Sequence, residues 1–144
     1  ELKLIPAISE LRKAWWTDMG KALKHLSGPG DSVVFGAVGC LGYYSGLRIY
    51  DRNGLLSREV AQRTPLPQAT SPGHDKTVPP EFFSRYNPTF LDCVWFPGGV
   101  KDLRKYRDQN PGVMRAGLEP QALDDWELNP RPEQTLLLER GPQK

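Results

Sequence analysis

The fold is decided by SVVFGAVGCLGYYSGLRIYD, residues 32–51. Its first part, Ser32–Ala37, is a short apolar run between turn signals, which is typical of a fully buried strand in a mostly parallel sheet. Glycines and a short helix of at most about nine residues separate this strand from a second apolar strand that ends at Asp51. A strand, a helix and a second strand in this order predict an α/β fold.

Further elements are predicted on both sides of this unit. Apolar residues at helical spacing predict a helix over Pro6–Leu26. Downstream, the pattern predicts helices over 55–62, 80–86 and 100–109, a strand over 90–96, and one last strand at 136–138. We therefore expect residues 1–144 to form a single domain whose central sheet has roughly three to four mostly parallel strands flanked by helices. Residues 113–144 are expected to be an irregular C-terminal extension of that domain.

The candidate site lies in IYDRNGLLSREVAQRTPLPQATSPGHDK, residues 49–76. A buried strand ends here at Asp51, and Asn53-Gly54 forms a turn because both residues tolerate positive φ. The segment Thr64–Pro80 follows, with five prolines and no periodicity. A loop of about seventeen residues in a compact domain is usually functional. This loop carries three adjacent polar side chains beside a glycine, in the tetrapeptide Gly73-His74-Asp75-Lys76.

These side chains include cations that could hold a phosphate and carboxylates that could act as a base. Cationic groups stabilise a phosphate, and a carboxylate accepts a proton from a hydroxyl group. We expect the substrate-binding residues to be Asp51, Arg52, Asn53, His74, Asp75 and Lys76. Asp51 is equally well explained as a cap on the Asn53-Gly54 turn. We predict no cofactor and no metal site in this chain, since no cluster of histidine or cysteine residues accompanies His74.

The same residues carry a resemblance to a known family. The segments YDRNGLLSREVA and PGHDKTVP resemble the signature in the C-terminal extracytoplasmic domain of multi-pass membrane glycosyltransferases, such as the cell-wall arabinofuranosyltransferases. The matching positions are Asp51, Gly54-Leu55, Ala61, Gly73 to Lys76 and Pro79, and the likeness extends weakly over residues 8–92. The chain departs from the family's Thr-Asp-Pro helix start, where it has Leu56-Ser57-Arg58.

The resemblance implies a function for the domain. It would be a fragment of a larger membrane enzyme on the periplasmic side, covering the membrane cavity and helping to bind a polyprenyl-phosphate sugar donor or an acceptor glycan. The catalytic acid would lie in the missing transmembrane portion, which is also the expected partner of this domain. The fragment alone would then be inactive.

Two other functions stay open on the sequence. Gly36, Gly39 and Gly42, followed by Asp51, are superficially similar to a dinucleotide-binding pattern, but the spacing GxxGxxG is not GxGxxG. The third possibility is a non-catalytic module that recognises a glycan or a protein. The basic helix predicted over Val100–Gln109 is typical of a solvated face, with attraction to an anionic membrane surface as the alternative.

The charge, hydropathy and cysteine content of the chain bear on its partners and on its cellular setting. The net charge of +2 gives no argument for nucleic acid as a partner. No apolar run of about eighteen residues occurs, and the mean hydropathy is −0.53, so no spanning segment is predicted within this chain. The two cysteines, Cys40 and Cys93, lie in apolar surroundings and are expected to be buried free thiols. Because the chain begins at Glu1 without a methionine, we interpret it as an excised piece of a longer protein.

Overall fold

The computed structural model describes residues 4–68, 74–131 and 133–142, and it describes the side chains of the first helix from Trp15 onward. Gly73 of the predicted site lies outside the described residues. In chain order the elements are α1 (Leu4–Leu26), β1 (Ser32–Phe35), α2 (Val38–Ser45), β2 (Arg48–Asp51), α3 (Arg58–Ala61), a 3₁₀ helix (Pro80–Tyr86), β3 (Phe90–Phe96), α4 (Val100–Gln109), β4 (Glu119–Pro120) and β5 (Thr135–Arg140).

The sheet has five strands in the order β2-β1-β3-β5-β4. β1 pairs in parallel with β2 and with β3, whereas β5 is antiparallel to both β3 and β4. The predicted α/β class with flanking helices is therefore confirmed. The sheet has more strands than we predicted, and its second half is antiparallel.

The difference arises in residues 113–144, which we expected to be an irregular extension. Two strands of the sheet come from this region, and β5 lies between β3 and β4. Its residues Thr135 to Leu138 are all buried, because both faces of the sheet are covered at this point. A strand buried on both faces has a continuous apolar sequence rather than an alternating one, and the predicted strand at Leu136–Leu138 is confirmed on this basis.

Helices cover the two faces of the sheet differently. On one face, α1 and α2 pack on Val33, Phe90, Trp95 and other residues of one large cluster. Close approach of these two helices depends on Gly20, because a Cβ atom there would lie 2.9 Å from Tyr44 Cβ. The opposite face carries two smaller clusters, one under α3 and the 3₁₀ helix and one under α4. Burial of these three clusters supplies the main stabilisation of the fold.

Candidate binding cleft at the ends of the parallel strands

A cleft of about 630 Å³ opens where β1 and β2 end. β1 and β2 are short strands that end at Phe35 and Asp51, whereas β3 is longer and ends at Phe96. The longer strand therefore forms one side of the cleft. The lining residues are Trp16, Phe35, Gly36, Ala37, Arg52, Asn53, His74, Thr77, Asp92, Cys93 and Val94.

The topology favours a binding site at this position. From β1 the chain passes through α2 to β2 on one side, and it later returns to β3 on the other side of β1. In open α/β sheets, such a change of direction leaves a crevice beyond the carboxyl ends of the strands, and ligands bind there. The cleft occupies this crevice.

Asn53 is held at the floor of the cleft by the end of β1. Its side-chain Nδ2 donates a hydrogen bond to the carbonyl oxygen of Gly36 over 3.2 Å. A Cβ atom at position 36 would lie 2.8 Å from the same nitrogen, so glycine is required for this close contact. The first glycine of the GxxGxxG pattern therefore serves the packing of Asn53.

Arg52 joins the long loop to the sheet. Its backbone N–H donates to Phe35 and its carbonyl accepts from Val78 N–H, both over 3.1 Å. The side-chain Nε also donates to the Val78 carbonyl at 3.0 Å. These bonds fix the end of the Thr64–Pro80 loop beside β2, and the loop residues His74 and Thr77 consequently line the cleft.

The two separated parts of the predicted site thus meet in one place. Arg52 and Asn53 follow β2, and His74 comes more than twenty residues later in the chain, yet all three line the same cleft. His74 is solvent-exposed. Among the predicted residues, these three are the ones that the structure brings together.

Asp51 has a different environment. Its side chain is 1% exposed. One carboxylate oxygen accepts a hydrogen bond from Asn53 N–H at 2.8 Å, and the other accepts one from Leu56 N–H at 2.6 Å. These bonds make Asp51 the cap of the Asn53-Gly54 turn, which is the structural role that the sequence also allowed. Asp51 additionally borders a second, smaller groove of about 320 Å³ on the outer side of β2.

Asp75 and Lys76 lie next to the cleft and pair with each other. Their side chains form an ion pair of 3.2 Å. The hydrogen bond from Lys76 lowers the pKa of the Asp75 carboxyl below its usual value, and a backbone hydrogen bond adds to this effect. The Asp75 carbonyl also accepts the N–H of Leu66 at 2.7 Å, which ties the two ends of the loop together. Neither side chain lines the cleft.

Asp92 is an acidic cleft residue that the sequence reasoning missed. Burial raises the pKa of its carboxyl, although a hydrogen bond from Cys93 N–H and the positive charges of Arg52 and Arg115 act in the opposite direction. Arg115 Nε lies 3.5 Å from Asp92 Oδ2. The signal was available, because Asp92 is the one charged residue within the apolar strand FLDCVWF. Among the described residues that line the cleft, Arg52 and Asp92 therefore carry the opposite charges.

Trp16 forms the wall of the cleft on the α1 side. Its neighbour Trp15 packs against the main core cluster, and the Trp15 carbonyl accepts a hydrogen bond from the Trp95 indole at 3.3 Å. Trp16 itself is half-buried at the cleft. No sequence signal identified Thr77.

The described residues contain no cluster of three or more histidine, cysteine or acidic residues that fits a metal ion. Cys93 is buried and Cys40 is half-buried, and both are free thiols. Burial raises the pKa of the Cys93 thiol. Of the other two glycines in GxxGxxG, Gly42 packs on Ile49, and a Cβ atom at Gly39 would contact nothing within 4 Å.

These features define a mixed α/β domain with a polar cleft at the carboxyl ends of its parallel strands. The chain belongs to the DUF8728 family, a domain of unknown function, whose model matches residues 7–134. No curated protein and no solved structure matches the chain. Among the described residues, no helix has both the length and the apolar character needed to cross a membrane.

Proposed function

We propose that this domain is the extracytoplasmic C-terminal domain of a membrane glycosyltransferase, and that its cleft binds the phosphate or sugar of a polyprenyl-phosphate donor or the acceptor glycan. One observation carries the proposal. Arg52, Asn53 and His74, selected from the sequence as ligands for phosphate or sugar, line one cleft although they come from two separate segments.

The chemistry of these groups suits an anionic, hydroxyl-bearing ligand. The Arg52 guanidinium has five N–H donors, of which Nε is used by Val78, and guanidinium groups bind phosphate oxygens with two parallel hydrogen bonds. Asn53 and His74 add donors and acceptors that match sugar hydroxyls. Trp16 supplies an aromatic wall of the kind on which an apolar ring face packs.

The proposal assigns binding to this chain and the transfer reaction to another part of the enzyme. On this account the 144-residue chain binds ligand without transferring sugar. The GxxGxxG alternative has less support, because Gly36 and Gly42 contact Asn53 and Ile49.

Isothermal titration calorimetry with a soluble short-chain prenyl phosphate, farnesyl phosphate, tests the proposal below the critical micelle concentration. We expect His74→Ala to weaken binding about fivefold, which corresponds to the loss of one hydrogen bond of roughly 1 kcal/mol. Arg104→Ala is the matched control, since Arg104 is exposed on α4 and outside the cleft. Its affinity should equal that of the wild type.

Two results would overturn the proposal. One is the absence of farnesyl phosphate binding by a folded wild-type chain. The other is equal weakening by His74→Ala and Arg104→Ala, which would indicate nonspecific attraction to surface charge. Binding of a nucleotide such as UDP in place of the prenyl phosphate would favour the nucleotide-binding function.

A further inference from the structure

Three exposed leucines lie in the segments on either side of α3. Leu55, Leu56 and Leu66 expose 52%, 72% and 46% of their surface. Leu55 and Leu56 follow the cleft residue Asn53 in one turn, and the Leu66 N–H is bonded to the carbonyl of Asp75, the neighbour of His74. Leu55 and Leu56 thus precede α3 and Leu66 follows it, and Leu56 lines the groove on the outer side of β2. We call these three residues the leucine rim.

The leucine rim is held in place by the fold. The Leu56 N–H is fixed by the buried carboxylate of Asp51 at 2.6 Å. Gly54 has φ of +81°, and a Cβ atom there would lie 2.7 Å from the Ala61 nitrogen, so the turn packs tightly against α3. Two adjacent large apolar side chains are thus exposed on a well-anchored turn. Single exposed apolar residues are normal, whereas adjacent ones mark a contact surface.

The charges around the leucine rim are basic. Arg58 and Arg63 are exposed at the two ends of α3. In the part of the chain that the structure describes, neither forms an ion pair.

Two of the three acidic residues in the same region are paired with cations. Asp51 is buried in its turn, Glu59 pairs with Arg85, and Asp75 pairs with Lys76. The surface around the leucine rim consequently has an excess of positive charge.

Arg63 lies over the Phe82 ring at 5.3 Å, and its positive charge, like that of Arg58, is not balanced by an ion pair. Exposed leucines together with such arginines match the chemistry of an anionic lipid surface, in which apolar side chains enter the acyl boundary and basic groups contact the headgroups. We propose that the leucine rim, with Arg58 and Arg63, docks this domain on an anionic bilayer. The inference deepens the proposed function and rests on it for its setting, since a polyprenyl-phosphate donor is held in a membrane.

The basic helix α4 is the competing surface. It carries Lys101, Arg104 and Lys105, but Asp102 and Asp108 lie on the same helix, and Arg107 is bonded to the Leu118 carbonyl. Leu103, its central apolar residue, is buried in the core. Because α4 has no group of adjacent exposed leucines, the observations favour the leucine rim.

Co-sedimentation with vesicles of phosphatidylglycerol and phosphatidylcholine tests the docking. We expect the wild type to bind these vesicles more tightly than vesicles of phosphatidylcholine alone. The double variant L55S/L56S should lose about tenfold in partitioning, because two exposed leucines no longer enter the bilayer. Each of Arg58→Ala and Arg63→Ala should lose about fivefold on the anionic vesicles.

Two control variants distinguish membrane docking by the leucine rim from nonspecific hydrophobic adsorption and from ligand binding in the cleft. Val113→Ser removes an equally exposed apolar residue outside the leucine rim, and it should bind vesicles like the wild type. His74→Ala should also bind vesicles normally while losing affinity for farnesyl phosphate. Failure of the cleft to bind farnesyl phosphate would overturn the proposed function, whereas failure at the vesicles would overturn the docking.

Three vesicle results would overturn the docking. The first is no binding of the wild type to anionic vesicles, and the second is unchanged binding of L55S/L56S. The third is a loss caused by removing the α4 charges Arg104 and Lys105 but not by removing Arg58 and Arg63. All variants alter exposed side chains, and thermal melts by circular dichroism would establish that each is folded.

Discussion

Replacing Asp51 by alanine should destabilise the fold strongly. The carboxylate is buried, and it accepts hydrogen bonds from the backbone N–H groups of Asn53 and Leu56 at 2.8 and 2.6 Å. A hydrogen bond to a charged group contributes about 1.5 to 3 kcal/mol, and both N–H groups lose their partner in the variant. Counting the lower value twice gives a loss of about 3 kcal/mol in the free energy of unfolding.

Urea denaturation followed by circular dichroism measures this loss. With a slope of about 2 kcal/mol per molar urea, the midpoint of Asp51→Ala should fall by about 1.5 M without a change in slope. Asp51→Asn keeps one acceptor oxygen, so we expect roughly half of the effect. As the control, Asp75→Ala removes a half-buried carboxylate of the same region whose partner, Lys76, is a neighbouring side chain, and it should leave the midpoint close to that of the wild type.

The urea midpoint of Asp51→Ala decides whether Asp51, a position of the glycosyltransferase-like signature, has a structural role. If Asp51→Ala shifts the midpoint by less than about 0.5 M, the turn does not depend on the carboxylate and the structural role is wrong. A full shift assigns Asp51 to the architecture that holds the cleft and the leucine rim in place.

Two further predictions concern backbone strain and pH. Gly54→Ala should lower the free energy of unfolding by about 2 kcal/mol, because position 54 combines positive φ with a 2.7 Å contact between the added Cβ atom and Ala61. Gly39→Ala should raise the free energy of unfolding by about 0.5 kcal/mol in the same urea assay, because its added Cβ atom contacts nothing within 4 Å. Equal effects of the two variants would contradict the geometry. Burial raises the pKa of Asp92 in the folded state, so the folded chain binds more protons than the unfolded chain above the ordinary value of 3.8. The wild type should therefore lose stability relative to Asp92→Asn as pH rises from 3.8 through the raised pKa. A rise of the wild-type urea midpoint relative to that of Asp92→Asn over this range would refute the assignment.

The first half of the sheet was predictable because its strands are short apolar runs between turn signals. β1 and β3 are each marked by such a run, and the strand–helix–strand order of residues 32–51 specifies a parallel pair. The two strands near the C-terminus were harder to place. β4 has two residues and both are exposed, so no periodicity marks it. β5 was visible as a strand, but its position between β3 and β4 depends on the covering of both of its faces, which is a tertiary property.

The sequence predicted which residues belong to the candidate site better than it predicted how they are arranged in space. Arg52, Asn53 and His74 were named from their residue types and from the long proline-rich loop. That they lie together follows from the hydrogen bonds of Arg52 to Phe35 and Val78, and no local pattern encodes these. Asp51 could be given two roles from sequence, and only its burial and its two backbone donors distinguish them.

The most direct test of the central claim is a titration of the ¹⁵N-labelled chain with farnesyl phosphate, followed by amide chemical shifts. The account predicts saturable shifts concentrated at Gly36, Ala37, Arg52, Asn53 and His74, the residues that line the cleft. Absence of shifts, or shifts confined to the groove beside Tyr50 and Tyr86 on the outer side of β2, would contradict it.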